Sequence, residues 1–367
     1  MIVAMMLKND SLRFSQLWVA INSLLAVVLS FVSVSIVPEQ FLRDSSYFDQ
    51  ILSSSISGFS GPVSLIGGIY SFIGVHTPGV TLRLVSTAIF ITNVHLFFRY
   101  FELQVNKRSQ YFLISLCFLL IPFYGSGYSK ELLVAIANIL LMCLLYRVKQ
   151  IQFLYFPLIS ILIAMTLRPY YLMTLLFFFF VYFILTYVPS VVVRITCIVF
   201  VLSGIITAEY HTKLILTYTG FNILTVRTNS QSVLKIAARS QIEQVEPTGN
   251  FLSNLIAILQ VIKSMIFPYD SVSLSPYLLA AFGMNVVVWG IVIMSLRMAV
   301  SRNNSTMLTI ASFILAFVMT ATFFEVDAGS FIRHFYPFLP LGVLILQSTS
   351  RKQKLIGITH SSQGRFH

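Results

Sequence analysis

Four short segments of this chain set charged and polar side chains at spacings that could bind or transfer an anionic group. Arg43-Asp44, with Asp49 five residues on, puts two carboxylates beside a guanidinium, which suits a general base or a metal ligand. An ordinary solvated loop is the plain alternative. Gly125-Ser126-Gly127-Tyr128-Ser129 leads into Lys130-Glu131. Its glycines allow close backbone approach, and Ser129 can cap the helix that follows. Lys130 then opposes the dipole at a helix N-terminus, a cost that an anionic partner such as a phosphate would offset. A capped turn with a local ion pair is the alternative. Arg168-Pro169-Tyr170 can grip phosphate oxygens bidentately or anchor the chain among interfacial aromatics. Arg333-His334 follows Glu325-Val326-Asp327 and precedes Pro337, and His334 can titrate near neutral pH or rest as a satisfied interfacial histidine.

Other reactive residue types carry less. His95 lies within an apolar stretch and reads as a helix-packing hydrogen-bonder. Cys117, Cys143 and Cys197 sit in apolar segments without metal-ligand spacing and read as small core residues. No Walker loop, HExxH, Cys/His cluster or Ser-His-Asp order occurs, so ATP hydrolysis and zinc proteolysis are unsupported. Neither a cofactor nor a metal centre is expected.

The elements that must position these residues are set by composition. Of the 367 residues 57% are apolar and 10% charged, against roughly 25% charged in a soluble domain. With a mean hydropathy of +0.86, the chain must use lipid as solvent. The expectation is an all-α polytopic bundle forming a single integral membrane domain over 1–367. About 20 apolar residues cross the hydrocarbon core. Apolar stretches predict about ten spans, near 15–37, 80–100, 110–124, 131–147, 151–167, 171–189, 192–209, 274–296, 305–324 and 334–350. The first lacks an A-x-A-like cleavage site and reads as a retained span.

Orientation follows from the basic residues of short loops. With the N-terminus cytoplasmic, ten spans put 14 of the 24 basic and two of the 12 acidic residues on that side, a net of +12 against zero opposite. Both termini are then cytoplasmic, with a tail at 351–367, and the positive charge reads as topology, not nucleic-acid binding. Two long periplasmic segments remain, 38–79 and 210–273, each with an expected interfacial helix: Val63 to Val75 and Phe251 to Phe267. The four chemical segments all emerge on this outer face.

In these segments the chain resembles the bacterial O-antigen and capsular polysaccharide polymerases of the Wzy type and their relatives in exopolysaccharide synthesis. The likeness rests on Arg43-Asp44-x-x-Tyr47, Gly127-x-Ser129-Lys130-Glu131, Arg168-Pro169, and Arg333-His334 followed by Pro337 before the last span. It implies a glycosyltransferase of the bacterial inner membrane, acting at the periplasmic face. A glycan on undecaprenyl diphosphate would be transferred to a new lipid-linked repeat unit. Arg168 and Arg333 would stabilise the diphosphate leaving group. Asp44, Asp49, Glu131 or His334 would take the acceptor proton, Asp44 being the first choice. Arg43, Asp49, Lys130, Glu131 and Tyr170 would bind diphosphate or glycan. The bilayer, and a chain-length regulator and flippase of the same pathway, are the partners this implies; nucleic acid is not.

Two rivals belong to other classes. A GT-C glycosyltransferase would take one sugar from a polyprenyl monophosphate, and its usual carboxylate pair is tighter than Asp44 and Asp49. A lipid-linked oligosaccharide transporter would place charges at mid-depth and show repeated halves, and neither is visible.

Overall fold

The computed structural model describes residues 16–32, 65, 67–69, 72, 80–103, 105, 107–125, 130–146, 152–213, 248–267, 276–298, 305–325 and 328–347. Among them the fold is all α, without a strand. The helices are α1 (Gln16–Val32), α2 (Val80–Tyr100), α3 (Arg108–Leu119), α4 (Ile121–Tyr124), α5 (Glu131–Leu145) and α6 (Gln152–Thr166). They continue with α7 (Tyr171–Tyr187), α8 (Val191–Thr212), α9 (Phe251–Ile266), α10 (Pro276–Arg297), α11 (Ser305–Phe324) and α12 (Ala328–Phe335). A 3-10 turn, Tyr336–Phe338, follows α12, and helix resumes over 339–347.

The expected ten spans are corrected to four. Among the described residues only Val80–Tyr100, Val191–Thr212, Ser305–Phe324 and Gly329–Gln347 are long and apolar enough to cross a membrane, by length and composition. Seven further apolar helical stretches have 10–17 residues, α10 entering with Phe282–Arg297, the part whose side chains the structure describes. The cause is helical rise. At about 1.5 Å per residue, a helix of 20 residues covers the roughly 30 Å hydrocarbon core. Apolar stretches counted whole include turns that do not add to that length. The stretch 110–124 breaks at Leu120, ahead of Pro122. The stretches 131–147 and 151–167 hold helices of 15 residues each. The partition of charge across ten spans, with both ends on one side, loses its basis with them. What stands is a helix-rich, multi-pass membrane protein.

The chain forms two compact units. The first comprises Met1–Tyr155, Met165–Leu167 and Tyr336–His367. Polar side chains join its helices where lipid offers no hydrophobic drive for association. Trp18 of α1 donates its indole N–H to the Tyr111 carbonyl and the Ser115 hydroxyl of α3, at 3.3 and 3.1 Å. Ser23 meets His95 of α2 at 3.1 Å, and Thr87 donates to Ser30 at 2.9 Å. His95 is thus the helix-packing hydrogen-bonder its setting predicts. Tyr336 donates to the Cys117 carbonyl at 3.2 Å and packs on Phe90 and Tyr124.

The second unit comprises Phe156–Ala164 and Arg168–Phe335. Its centre is α11, whose residues from Met307 to Phe324 are all buried. A helix that is apolar all round belongs inside a bundle. It packs on α7 through a Thr174–Thr320 hydrogen bond of 2.8 Å and through the Tyr171–Phe317 and Phe177–Phe323 ring pairs. The helix expected near Phe251 is present as α9, with Asn250 capping its N-terminus by accepting from the Leu252 N–H. Residues of the other interfacial expectation, Val63 to Val75, lie mostly outside the described set.

Candidate functional site

The second unit gathers one group of side chains with the makings of chemistry, and local sequence explains each placement. Pro169 disfavours helical geometry in the residue before it, so α6 stops at Thr166 and Arg168 falls in the break. The break is tight. The Arg168 N–H donates to the Ile163 carbonyl and the Arg168 carbonyl accepts from Tyr171, both at 3.0 Å, which starts α7. At the far end of α11, twenty apolar and hydroxyl residues finish at Phe324, and Glu325 comes next. Helix α12 then carries Arg333 and His334 in its last turn, where the dipole favours cations, and Pro337 follows in the 3-10 turn.

These three elements bring Arg168, His334 and Glu325 into one chain of contacts. Arg168 Nη2 lies 2.5 Å from His334 Nε2. His334 Nδ1 in turn meets Glu325 Oε1. Guanidinium nitrogens are donors only, so Arg168 donates and Nε2 accepts with its lone pair. The ring proton must then be on Nδ1, donated to the Glu325 carboxylate. His334 is 7% exposed and Glu325 4%, whereas Arg168 is half-buried and reachable from outside.

The charge of Glu325 is secured by its neighbours. Burial alone raises a carboxyl pKa. The hydrogen bond from His334, the Arg168 guanidinium and a hydrogen bond from Ser330 more than reverse that, holding it below the usual carboxylate range. Aromatic packing fixes the approach to the arginine. The Arg168 guanidinium lies 6.0 Å from the Tyr170 ring centroid, and Tyr170 stacks on Phe324 at 4.3 Å. A carboxylate-backed imidazole touching a guanidinium can move a proton and can meet an oxyanion.

The residues singled out from sequence divide by location. Arg168, Tyr170 and His334 come together, and half-buried Arg333 precedes His334 on α12. Consecutive helix residues point roughly 100° apart. The guanidinium that meets the imidazole therefore comes from residue 168, not from its sequence neighbour. Lys130 and Glu131 belong to the first unit, Lys130 as the N-cap residue of α5 and Glu131 as its buried first residue. Gly125 is needed there for packing, because a Cβ would lie 2.6 Å from the Phe90 ring. Arg43, Asp44 and Asp49 lie outside the described residues.

Glu325 is named from sequence only as a neighbour of Arg333-His334, with no role of its own. Its signal was present, since it is the first charge after a full apolar span and a histidine follows nine residues later. Among the described residues, no three His, Cys, Asp or Glu side chains gather to hold a metal ion. No family model, no curated protein and no solved structure matches this chain.

Proposed function

We propose that this protein is a membrane glycosyltransferase that joins undecaprenyl-diphosphate-linked oligosaccharide repeat units into a surface polysaccharide, at the periplasmic face of a bacterial inner membrane. The resemblance of its motifs supplies the substrate class and the compartment. One observation supports the chemistry: a buried imidazole, backed by a carboxylate, touches a reachable guanidinium at a helix break.

Glycosyl transfer from a diphosphate needs two things of a protein. Negative charge grows on the leaving group and must be met by fixed cations, a role for Arg168 with Arg333 beside the site. The acceptor hydroxyl must lose its proton, and His334 Nε2 carries the lone pair to take it. Glu325 holds the imidazole in the tautomer that leaves Nε2 unprotonated and stabilises the imidazolium that forms. That division of labour moves the base from Asp44, the first choice from sequence, to His334.

The test is genetic. Deleting the gene should collapse the ladder of long-chain surface polysaccharide to core plus one repeat unit. Arg168→Ala or Arg333→Ala should reproduce the collapse while the protein stays in the membrane. An unchanged ladder in the deletion strain rules the reading out.

A further inference from the structure

The contact that supports the proposed chemistry also blocks it. A general base must present a lone pair to the acceptor hydroxyl, yet the Nε2 lone pair of His334 is already occupied by Arg168 Nη2. The other ring nitrogen is occupied by Glu325. As it stands, the imidazole has no free nitrogen. The guanidinium is the partner that can leave. Arg168 sits in the break between α6 and α7 and is half-buried, whereas Glu325 is buried against His334 and held by Ser330.

Resting on the reading of this site as a diphosphate-sugar transferase, we infer that Arg168 masks the base. It holds the His334 Nε2 lone pair until an oxyanion of the donor diphosphate replaces that nitrogen as its acceptor, so the leaving group switches the base on. The exchange is chemically favourable in direction. A phosphate oxygen is anionic and matches the guanidinium fork, while an imidazole nitrogen is a neutral single acceptor. The rest of the site stays put, because Glu325 still fixes the ring through Nδ1.

The freed Nε2 then takes the proton of the acceptor hydroxyl. That oxygen bonds to the anomeric carbon as the bond from this carbon to the diphosphate oxygen breaks. The electron pair leaves on the polyprenyl diphosphate, whose charge Arg168 already meets. The imidazolium, held by Glu325, returns its proton to water once product departs. A consequence is that an empty site holds no active base, which guards it against stray proton transfer between turnovers.

Carbethoxylation by diethyl pyrocarbonate reads the masking directly, because the reagent attacks an imidazole nitrogen with a free lone pair. Purified full-length protein in lipid nanodiscs would be treated with and without inorganic pyrophosphate. Modification of His334 and of exposed His211 would be followed by peptide mass spectrometry. His334 should react slowly alone and about tenfold faster with pyrophosphate, the factor expected when one charge-assisted hydrogen bond is removed. His211 should not change. Arg168→Ala should react fast at the outset and ignore pyrophosphate.

Pyrophosphate that leaves His334 unchanged or slows it overturns the masking, as does slow reaction in a natively unfolding Arg168→Ala. The wild-type titration stands without any variant, so misfolding of Arg168→Ala would not blunt the test. Failure here is separable from failure of the transferase reading. A polymerase without masking gives a collapsed ladder in Arg168→Ala cells and no pyrophosphate effect on His334. Masking in an enzyme for another diphosphate gives the effect with an intact ladder.

Discussion

Two arginines of the second unit sit at helix ends and do opposite work. Arg194, near the start of α8, is buried and directs its donors at backbone carbonyls. Its Nε donates to Val188 at 2.6 Å and Nη2 to Leu185 at 3.3 Å, both at the C-terminal end of α7. Its Nη1 donates to Leu296 at 2.7 Å and Met298 at 3.0 Å, at the end of α10. One cation thus satisfies the orphan carbonyls of two helix ends and complements both dipoles. Arg168 is half-buried and meets a side chain that can react. What separates the two arginines is therefore the acceptor. Carbonyls neither titrate nor depart, whereas an imidazole can be exchanged for a ligand.

The largest expected effect comes from swapping the two residues' fates. Arg194→Ala takes the donor from four backbone carbonyls, the Leu185 contact buried and the other three part-buried, at roughly 1–3 kcal/mol for a group left fully buried and unsatisfied, so the yield of folded protein should fall sharply. Arg194→Lys should fail nearly as badly, because an ammonium cannot fork to two helix ends. Arg168→Ala should unfold within a few degrees of wild type while transfer falls by roughly 10²–10³-fold, as when an oxyanion donor is removed. Thermal unfolding in detergent, beside an elongation assay, separates the two. A stable, active Arg194→Ala would break the comparison.

Glu325→Gln comes next. It keeps the shape but removes the charge that orients His334, and transfer should drop on the order of 10²-fold as part of the general-base contribution is lost. Activity near wild type would reduce Glu325 to a packing residue. Acid offers a gentler form of the same change. The folded pKa of Glu325 lies below the ordinary 4.5, so its stabilisation is complete above 4.5 and is lost as pH falls through the depressed value. The unfolding temperature should decline through that window, and Glu325→Gln should flatten the decline. An identical acid slope in both proteins would count against the ion pair.

The smallest effect sharpens the contrast from the first unit. Gly125→Ala pushes a methyl into Phe90, at a cost of about 1–3 kcal/mol for overpacking, with no change in the response of His334 to pyrophosphate. A changed response would return the glycine segment to the chemistry that its sequence suggested.

Particular residues show what could be read in advance. The stretch ending at Phe324 was legible because twenty consecutive apolar and hydroxyl residues have few alternatives to a buried helix, and Arg168-Pro169 marked a helix break by the steric rule for residues before proline. Span number was not legible, because apolar content alone does not reveal where a helix stops, as at Leu120 or Leu145. The role of Arg194 was hidden for a deeper reason. A lone arginine between two apolar stretches, it binds carbonyls as far as residue 298, and every residue type carries the same carbonyl. Glu325 fell between. It was visible as the first charge after a span, but its partner depended on how α12 turns back against α11.

The central claim is that Arg168 and His334 form the reacting site for a lipid-linked diphosphate. It is tested most directly by elongation of undecaprenyl-diphosphate-linked repeat units on purified protein, comparing wild type with Arg168→Ala and His334→Gln at matched folded concentration. Wild type should build polymer, and both variants should leave single repeats unjoined. Polymer of normal length and rate from either natively folded variant would contradict the account.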